Sequence, residues 1–64
     1  AVPADWTLND GQYSAIYESG ERPNTQEISR KLNEWFTSEN GTVSGTRFST
    51  QDISTALNYW FTHR

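Results

Sequence analysis

The chain has no cysteine, no methionine and a single histidine. Lack of cysteine excludes disulfides and thiolate metal sites. One imidazole, His63, does not build a zinc cluster alone. Two prolines and four glycines leave no linker and no low-complexity tract. Basic residues are scarce, five against eight acidic ones, for a formal charge of −3. A nucleic-acid binder normally carries a concentrated basic face, so nucleic acid is a disfavoured ligand. No apolar run approaches the roughly 20 residues that span a membrane, so no membrane partner is expected. The opening AVPADW has no charged stretch followed by an apolar one, so no secretion signal is read in it. No Ser/His/Asp arrangement, glycine-rich phosphate loop or metal-ligand cluster is present, and an enzyme is not expected.

What is present must hold 64 residues together as one domain. A chain this short buries only about 60% of the surface its unfolded form exposes. Three Trp, three Tyr and three Phe are the obvious source of stability, because each aromatic buries a large area. Oxygen-ligated calcium or a partner protein are the other sources open to it.

The dominant feature is a repeat. Residues 25–37 read TQEISRKLNEWFT and residues 50–62 read TQDISTALNYWFT. With residues 19–39 set over 44–64, an offset of 25, Ser19, Gly20, Arg22, Thr25, Gln26, Ile28, Ser29, Leu32, Asn33, Trp35, Phe36 and Thr37 all recur. Twelve identities in 21 positions read as a tandem duplication.

Each copy spells an amphipathic helix. Ile28, Leu32, Trp35 and Phe36 fall at i, i+4, i+7 and i+8, and Ile53, Leu57, Trp60 and Phe61 repeat the stripe. Asn24 with Glu27, and Ser49 with Asp52, approximate capping boxes, and Phe48 before its cap can staple onto Ile53. Helices are therefore predicted over 25–38 and 50–63. A third, weaker helix starts from the cap Asn9, with Gln12 three residues on, carries Tyr13, Ile16 and Tyr17, and ends near Gly20. Pro3 and Trp6 read as an extended segment laid on the core. ENGTVSGTRF reads as a tight turn with a short extended piece. The predicted fold is a small all-α domain of three helices. Its two loop-helix repeats, 19–39 and 44–64, pack through their Trp/Phe faces with pseudo-two-fold symmetry. One 13-residue amphipathic helix is marginal alone in water, and a second copy supplies the complementary face.

Most candidate residues have an ordinary structural reading. Trp35, Phe36, Trp60 and Phe61 are expected in the core, with an aromatic stacking platform as the alternative. His63 is expected to fray at the C-terminal end. Asn40-Gly41-Thr42 matches the N-glycosylation sequon, a weak three-residue signal. Three exposed pairs are identical although packing does not require it: Arg22/Arg47, Thr25/Thr50 and Gln26/Gln51. With Tyr59, which interrupts the polar face where the first copy has Glu34, they are the expected partner-binding residues. No catalytic and no metal-binding residue is assigned.

Two copies of about 25 residues, each a loop followed by a helix, resemble a type I dockerin. FSTQDISTALNYW is similar to the end of a dockerin repeat. The resemblance implies an all-α module that joins an extracellular or cell-surface protein to a cohesin-like partner. Thr25-Gln26 and Thr50-Gln51 would match its recognition pairs, and Glu27 and Asp52 its last calcium ligands. The chain departs from the family at the other ligand positions, which hold Ile16, Glu18 and Gly20 in one copy and Gly41, Val43 and Gly45 in the other. Calcium needs six or more oxygen ligands, so no cofactor is expected. The absence of cysteine is equally compatible with the cytoplasm. A second resemblance stays open: TQEISRKLN also looks like the second-to-third-helix entry of helix-turn-helix DNA-binding domains.

Overall fold

The computed structural model describes residues 2–63. Three helices and a short ribbon follow one another: α1 (Asp10–Ile16), a 3-10 turn (Glu18–Gly20), α2 (Thr25–Thr37), β1 (Thr42–Val43), β2 (Thr46–Arg47) and α3 (Thr50–Thr62). The fold is mostly helical, as the periodicity required, but it is not purely α. β1 and β2 pair antiparallel with Thr42 opposite Arg47 and Val43 opposite Thr46. Ser44 and Gly45 connect them at φ 50° and 79°. Two central residues at positive φ give the turn whose twist matches a hairpin.

The caps are where the sequence places them. Asn9 accepts from the Gln12 amide at 2.8 Å while Gln12 Oε1 accepts from the Asn9 N–H at 3.2 Å. Ser49 and Asp52 form the same reciprocal pair. Asn24 accepts from the Glu27 N–H at 2.8 Å, and no return bond from Glu27 accompanies it. Both long helices have 13 residues, and they end one residue earlier than predicted.

The core differs from the predicted Trp/Phe seam. Its wholly buried large side chains are Phe48, Ile16 and Val43, from α1, β1 and the loop before α3. Trp6, Ala15, Tyr17, Ile28, Ile53 and Ala56 complete it. Trp35 and Trp60 are half-buried at its edge, whereas Leu32, Phe36 and Phe61 are exposed by 37%, 80% and 57%. The reason is rotational. At about 100° per residue, position i+3 lies about 60° to one side of Ile28, and i+8 about 80° to the other. The fold turns the i+3 side inward. Ala56 is fully buried there in α3. In α2 the equivalent Lys31 sends its ammonium to the Ala15 carbonyl and Glu18, both at 3.0 Å. The i+8 positions therefore face out, as does Leu32 at i+4 in α2, while Leu57 at i+4 in α3 stays half-buried against the core.

The long helices close on the chain through paired bonds. Trp35 Nε1 donates to the Phe48 carbonyl at 2.8 Å, and Trp60 Nε1 donates to the Pro23 carbonyl at 2.7 Å. Gln12, itself buried, donates to the Arg47 carbonyl at 3.2 Å and to Asp52 at 3.1 Å, tying α1 to β2 and α3. The closest backbone neighbours of α2 are in β1, and those of α1 are in β2 and the 3-10 turn. Trp6 meets Tyr13, Tyr17 and Tyr59 edge-on at 5.2, 6.1 and 5.0 Å. Such pairs contribute about 0.5–1.5 kcal/mol beyond area burial.

Candidate docking surface

The residues singled out in sequence fall in different environments. Thr25 and Gln26 are exposed in the first turn of α2, and Thr50 and Gln51 in the first turn of α3. Neither pair is needed for capping, which Asn24 and Ser49 supply. Arg22 lies against the end of α3. Its Nε donates to the His63 carbonyl at 3.1 Å and its Nη2 to the Trp60 carbonyl at 3.0 Å. Its guanidinium sits 4.3 Å over the Trp60 ring. A cation there complements the negative end of the helix dipole. Arg47 is exposed in β2, and its side chain makes no hydrogen bond, ion pair or ring contact among the described residues. The matched arginines are thus used differently.

Tyr59 is half-buried and belongs to the aromatic cluster. Its hydroxyl donates to Asp5 Oδ1 at 3.1 Å and its ring stacks on His63 at 3.8 Å. Burial is the main reason its phenol lies above the ordinary tyrosine range, with Asp5 adding to it. His63 is not the frayed end expected of it. Its Nε2 lies 2.6 Å from Asp5 Oδ2, and that bond is the main cause of the lowered Asp5 pKa. A lone C-terminal histidine gave no sequence signal for this, because its partner is 58 residues away.

A more informative pattern emerges on the two long helices. Of their 13 aligned positions, nine are identical: 25, 26, 28, 29, 32, 33, 35, 36 and 37 with their counterparts. The four that differ are 27, 30, 31 and 34. Placed on a helix, the identical positions occupy one unbroken arc of about 200°, and the differing ones the opposite arc of about 100°. The differing arc meets dissimilar neighbours. Glu34 accepts from the Ser44 N–H at 2.7 Å, whereas its counterpart Tyr59 packs on Trp6. Lys31 reaches α1, whereas its counterpart Ala56 is buried. The identical arc has Ile28/Ile53 and Trp35/Trp60 on its inner edge. The rest of it, Thr25, Gln26, Ser29, Leu32, Asn33, Phe36 and Thr37, is exposed in α2. In α3 the same seven types are exposed except Leu57, which is half-buried.

This outward face carries no charge. On α2 it holds a shallow groove lined by Ser29, Leu32, Asn33, Trp35 and Phe36. Sequence reasoning assigned Leu32, Trp35 and Phe36 to the core and passed over Ser29 and Asn33. The signal was nonetheless in the repeat, once its identities are placed on a wheel rather than along a line.

Among the described residues no group of three or more His, Asp or Glu side chains could hold a metal ion. No described helix is long and apolar enough to cross a membrane. No protein-family model, curated protein or solved structure matches the chain.

Proposed function

We propose that this chain is a non-catalytic module that docks onto another protein through the outward faces of α2 and α3. One observation carries the reading: seven exposed positions of α2, gathered on one side of the helix, recur unchanged in α3, while the four positions that differ lie on the opposite side. Packing accounts for Ile28/Ile53 and Trp35/Trp60 on the inner edge of that arc but not for the seven exposed identities, because surface substitutions typically change stability by less than about 0.5 kcal/mol. An uncharged helix face with Leu32 and Phe36 exposed beside polar Thr25, Gln26, Ser29 and Asn33 suits a protein partner.

The reading extends to a dockerin-like, extracellular or cell-surface role, with the two copies related by an approximate two-fold axis and a cohesin-like partner. The reciprocal bonds support the axis, since Trp35 and Trp60, like Pro23 and Phe48, are 25 residues apart. The paired turns support it too: Ser19-Gly20 and Ser44-Gly45 all have positive φ, at 56°, 74°, 50° and 79°. The helix-turn-helix alternative is disfavoured. That motif joins its helices by a turn of about three to four residues, whereas a hairpin separates α2 from α3.

The test is calorimetric titration of cohesin modules, with calcium and with chelator, and of duplex DNA at low salt. Three variants accompany the parent: Thr25, Gln26 and Phe36 changed to Ala; Thr50, Gln51 and Phe61 changed to Ala; and both sets. If one copy suffices, each single set loses about the statistical factor of two, and the double set loses binding. A double variant that binds like the parent rejects the surface. A parent that binds DNA but no cohesin module rejects the reading itself.

A further inference from the structure

The two matched tryptophans are finished differently. Over Trp60 lies the Arg22 guanidinium, 4.3 Å from the ring centroid, hydrogen-bonded to the carbonyls of Trp60 and His63 at 3.0 and 3.1 Å. The counterparts 25 residues earlier are Trp35 and the carbonyls of Trp35 and Ser38. Arg47 holds the position corresponding to Arg22, but it does not reach them: its side chain has no partner among the described residues. Trp35 also lines the groove with Ser29, Leu32, Asn33 and Phe36.

We infer that this groove receives a cationic side chain, an arginine of the docking partner, which does at Trp35 in trans what Arg22 does at Trp60 in cis. The inference rests on the docking reading above and specifies what the partner brings. Charge favours it. The last turn of α2 contains no basic residue, and its negative dipole end is left without a cation. Exposed Glu39 stands just beyond that turn, whereas Glu34 is turned away to the Ser44 N–H. The carbonyls can take a further donor. Trp35 O accepts only a 3.3 Å bond from the Ser38 N–H beyond its turn, and Ser38 O only a 3.4 Å bond from Gly41, while each carbonyl has two lone pairs. Trp is the best aromatic platform for a cation, and the flat guanidinium also stacks on such faces. Leu32 and Phe36 would flank its methylene stem.

The experiment uses N-acetyl-arginine amide as the probe, titrated into the nitrogen-15-labelled full chain and followed at the three Trp indole N–H signals and the Leu32 methyls. N-acetyl-glutamate amide is the control. The expected result is a saturable shift at Trp35 and Leu32, none at Trp60, and none with the control. In Arg22→Ala, which uncovers Trp60, the same probe should shift both indoles. Arg47→Ala separates the trans occupant from a cis one: without probe, the Trp35 signal should stay where it is. If it moves, Arg47 fills the site in solution and the proposal falls. Equal shifts from arginine and glutamate probes, or none from either, also overturn it. These failures leave a cohesin titration that depends on Phe36 intact, so the docking surface and its cationic occupant stand or fall separately.

Discussion

Ile28→Ala and Phe36→Ala should separate strongly, although the two residues belong to one apolar stripe in sequence. Ile28 is 5% exposed and Phe36 80%. Truncating a buried Ile to Ala loses its transfer free energy and leaves a cavity, about 2–5 kcal/mol together. Full burial of a Phe side chain is worth about 1.5–3 kcal/mol. Phe36 keeps only a fifth of its surface from water, so its share is about 0.3–0.6 kcal/mol. A domain of this size has a total stability of roughly 3–10 kcal/mol. Ile28→Ala therefore consumes a large part of it.

In a small domain about 1 kcal/mol moves Tm by roughly 4–8 °C. Thermal and urea unfolding followed by far-ultraviolet circular dichroism should then place Ile28→Ala at least about 8 °C below the parent, and Phe36→Ala within about 5 °C of it. Leu57→Ala, half-buried on α3, should cost more than Leu32→Ala, which is 37% exposed on α2. If Phe36→Ala unfolds as readily as Ile28→Ala, the helix is rotated relative to the fold described above. The outward face would then be core and not a docking surface.

Tyr17→Phe should leave stability equal or slightly raised in the same scans. The Tyr17 hydroxyl is buried without a hydrogen-bond partner, and that burial pushes its phenol up to about 12. Removing an unpaired buried polar group removes its desolvation cost. In acid the domain should lose stability. Asp5, Glu18 and Asp52 are held below their ordinary values, chiefly by hydrogen bonds from His63, Lys31 and Gln12 respectively. A depressed folded-state pKa contributes stability above the unfolded value, and that contribution is lost as pH falls through the folded one. Urea midpoints should thus fall from about pH 4 downward; in Asp52→Asn the fall should be shallower. Gly41→Ala should cost more than Gly45→Ala. A Cβ at Gly41 would meet Trp35 Nε1 at 2.9 Å and the Phe48 carbonyl at 3.0 Å, while at Gly45 nothing lies within 4 Å. Both have positive φ, so the backbone strain is shared, and equal Tm values for the two would contradict the packing at Trp35. Chelator should leave Tm unchanged, and a shift of several degrees on adding millimolar calcium would restore the metal-binding loops that the ligand positions argue against.

Local signals carried the helices and their caps. Asn9, Asn24 and Ser49 each announce a helix start through a bond to a residue three positions on, and such a signal is readable without tertiary structure. The ribbon was half-readable. ENGTVSGTRF suggested a tight turn with a short extended piece, but only the pairing of Val43 with Thr46 makes strands around Ser44-Gly45. The core was not readable from polarity alone. The inward arc of α2 runs through Ile28, Lys31 and Trp35, and a lysine in its middle moves the apparent apolar face toward Leu32 and Phe36. Lys31 fits there because its stem packs inward while its ammonium finds Glu18 and the Ala15 carbonyl. No rule of periodicity anticipates that solution.

The asymmetry between the copies has a geometric origin in the same facts. Much of the α2 sequence recurs in α3, but the segment before α2, with Asp5, Trp6 and α1, has no such counterpart. Two equivalent inward faces cannot both be covered by one such segment. It sets Trp6 against Tyr59 on α3 and bonds Asp5 to Tyr59 and His63. On α2 the corresponding side chain, Glu34, binds the hairpin turn instead. The helices meet different neighbours on that arc, and there their residues differ. Packing holds Ile28/Ile53 and Trp35/Trp60 at the inner edge of the opposite arc, but nothing in the fold obliges the exposed rest of it to stay the same. A recent duplication would leave identity scattered over both arcs, and drift would erase the exposed one first, since substitutions there cost least. Gathering of the seven exposed identities of α2 on one side of the helix fits neither course. It follows directly if the exposed arc is held by contact with something outside the chain.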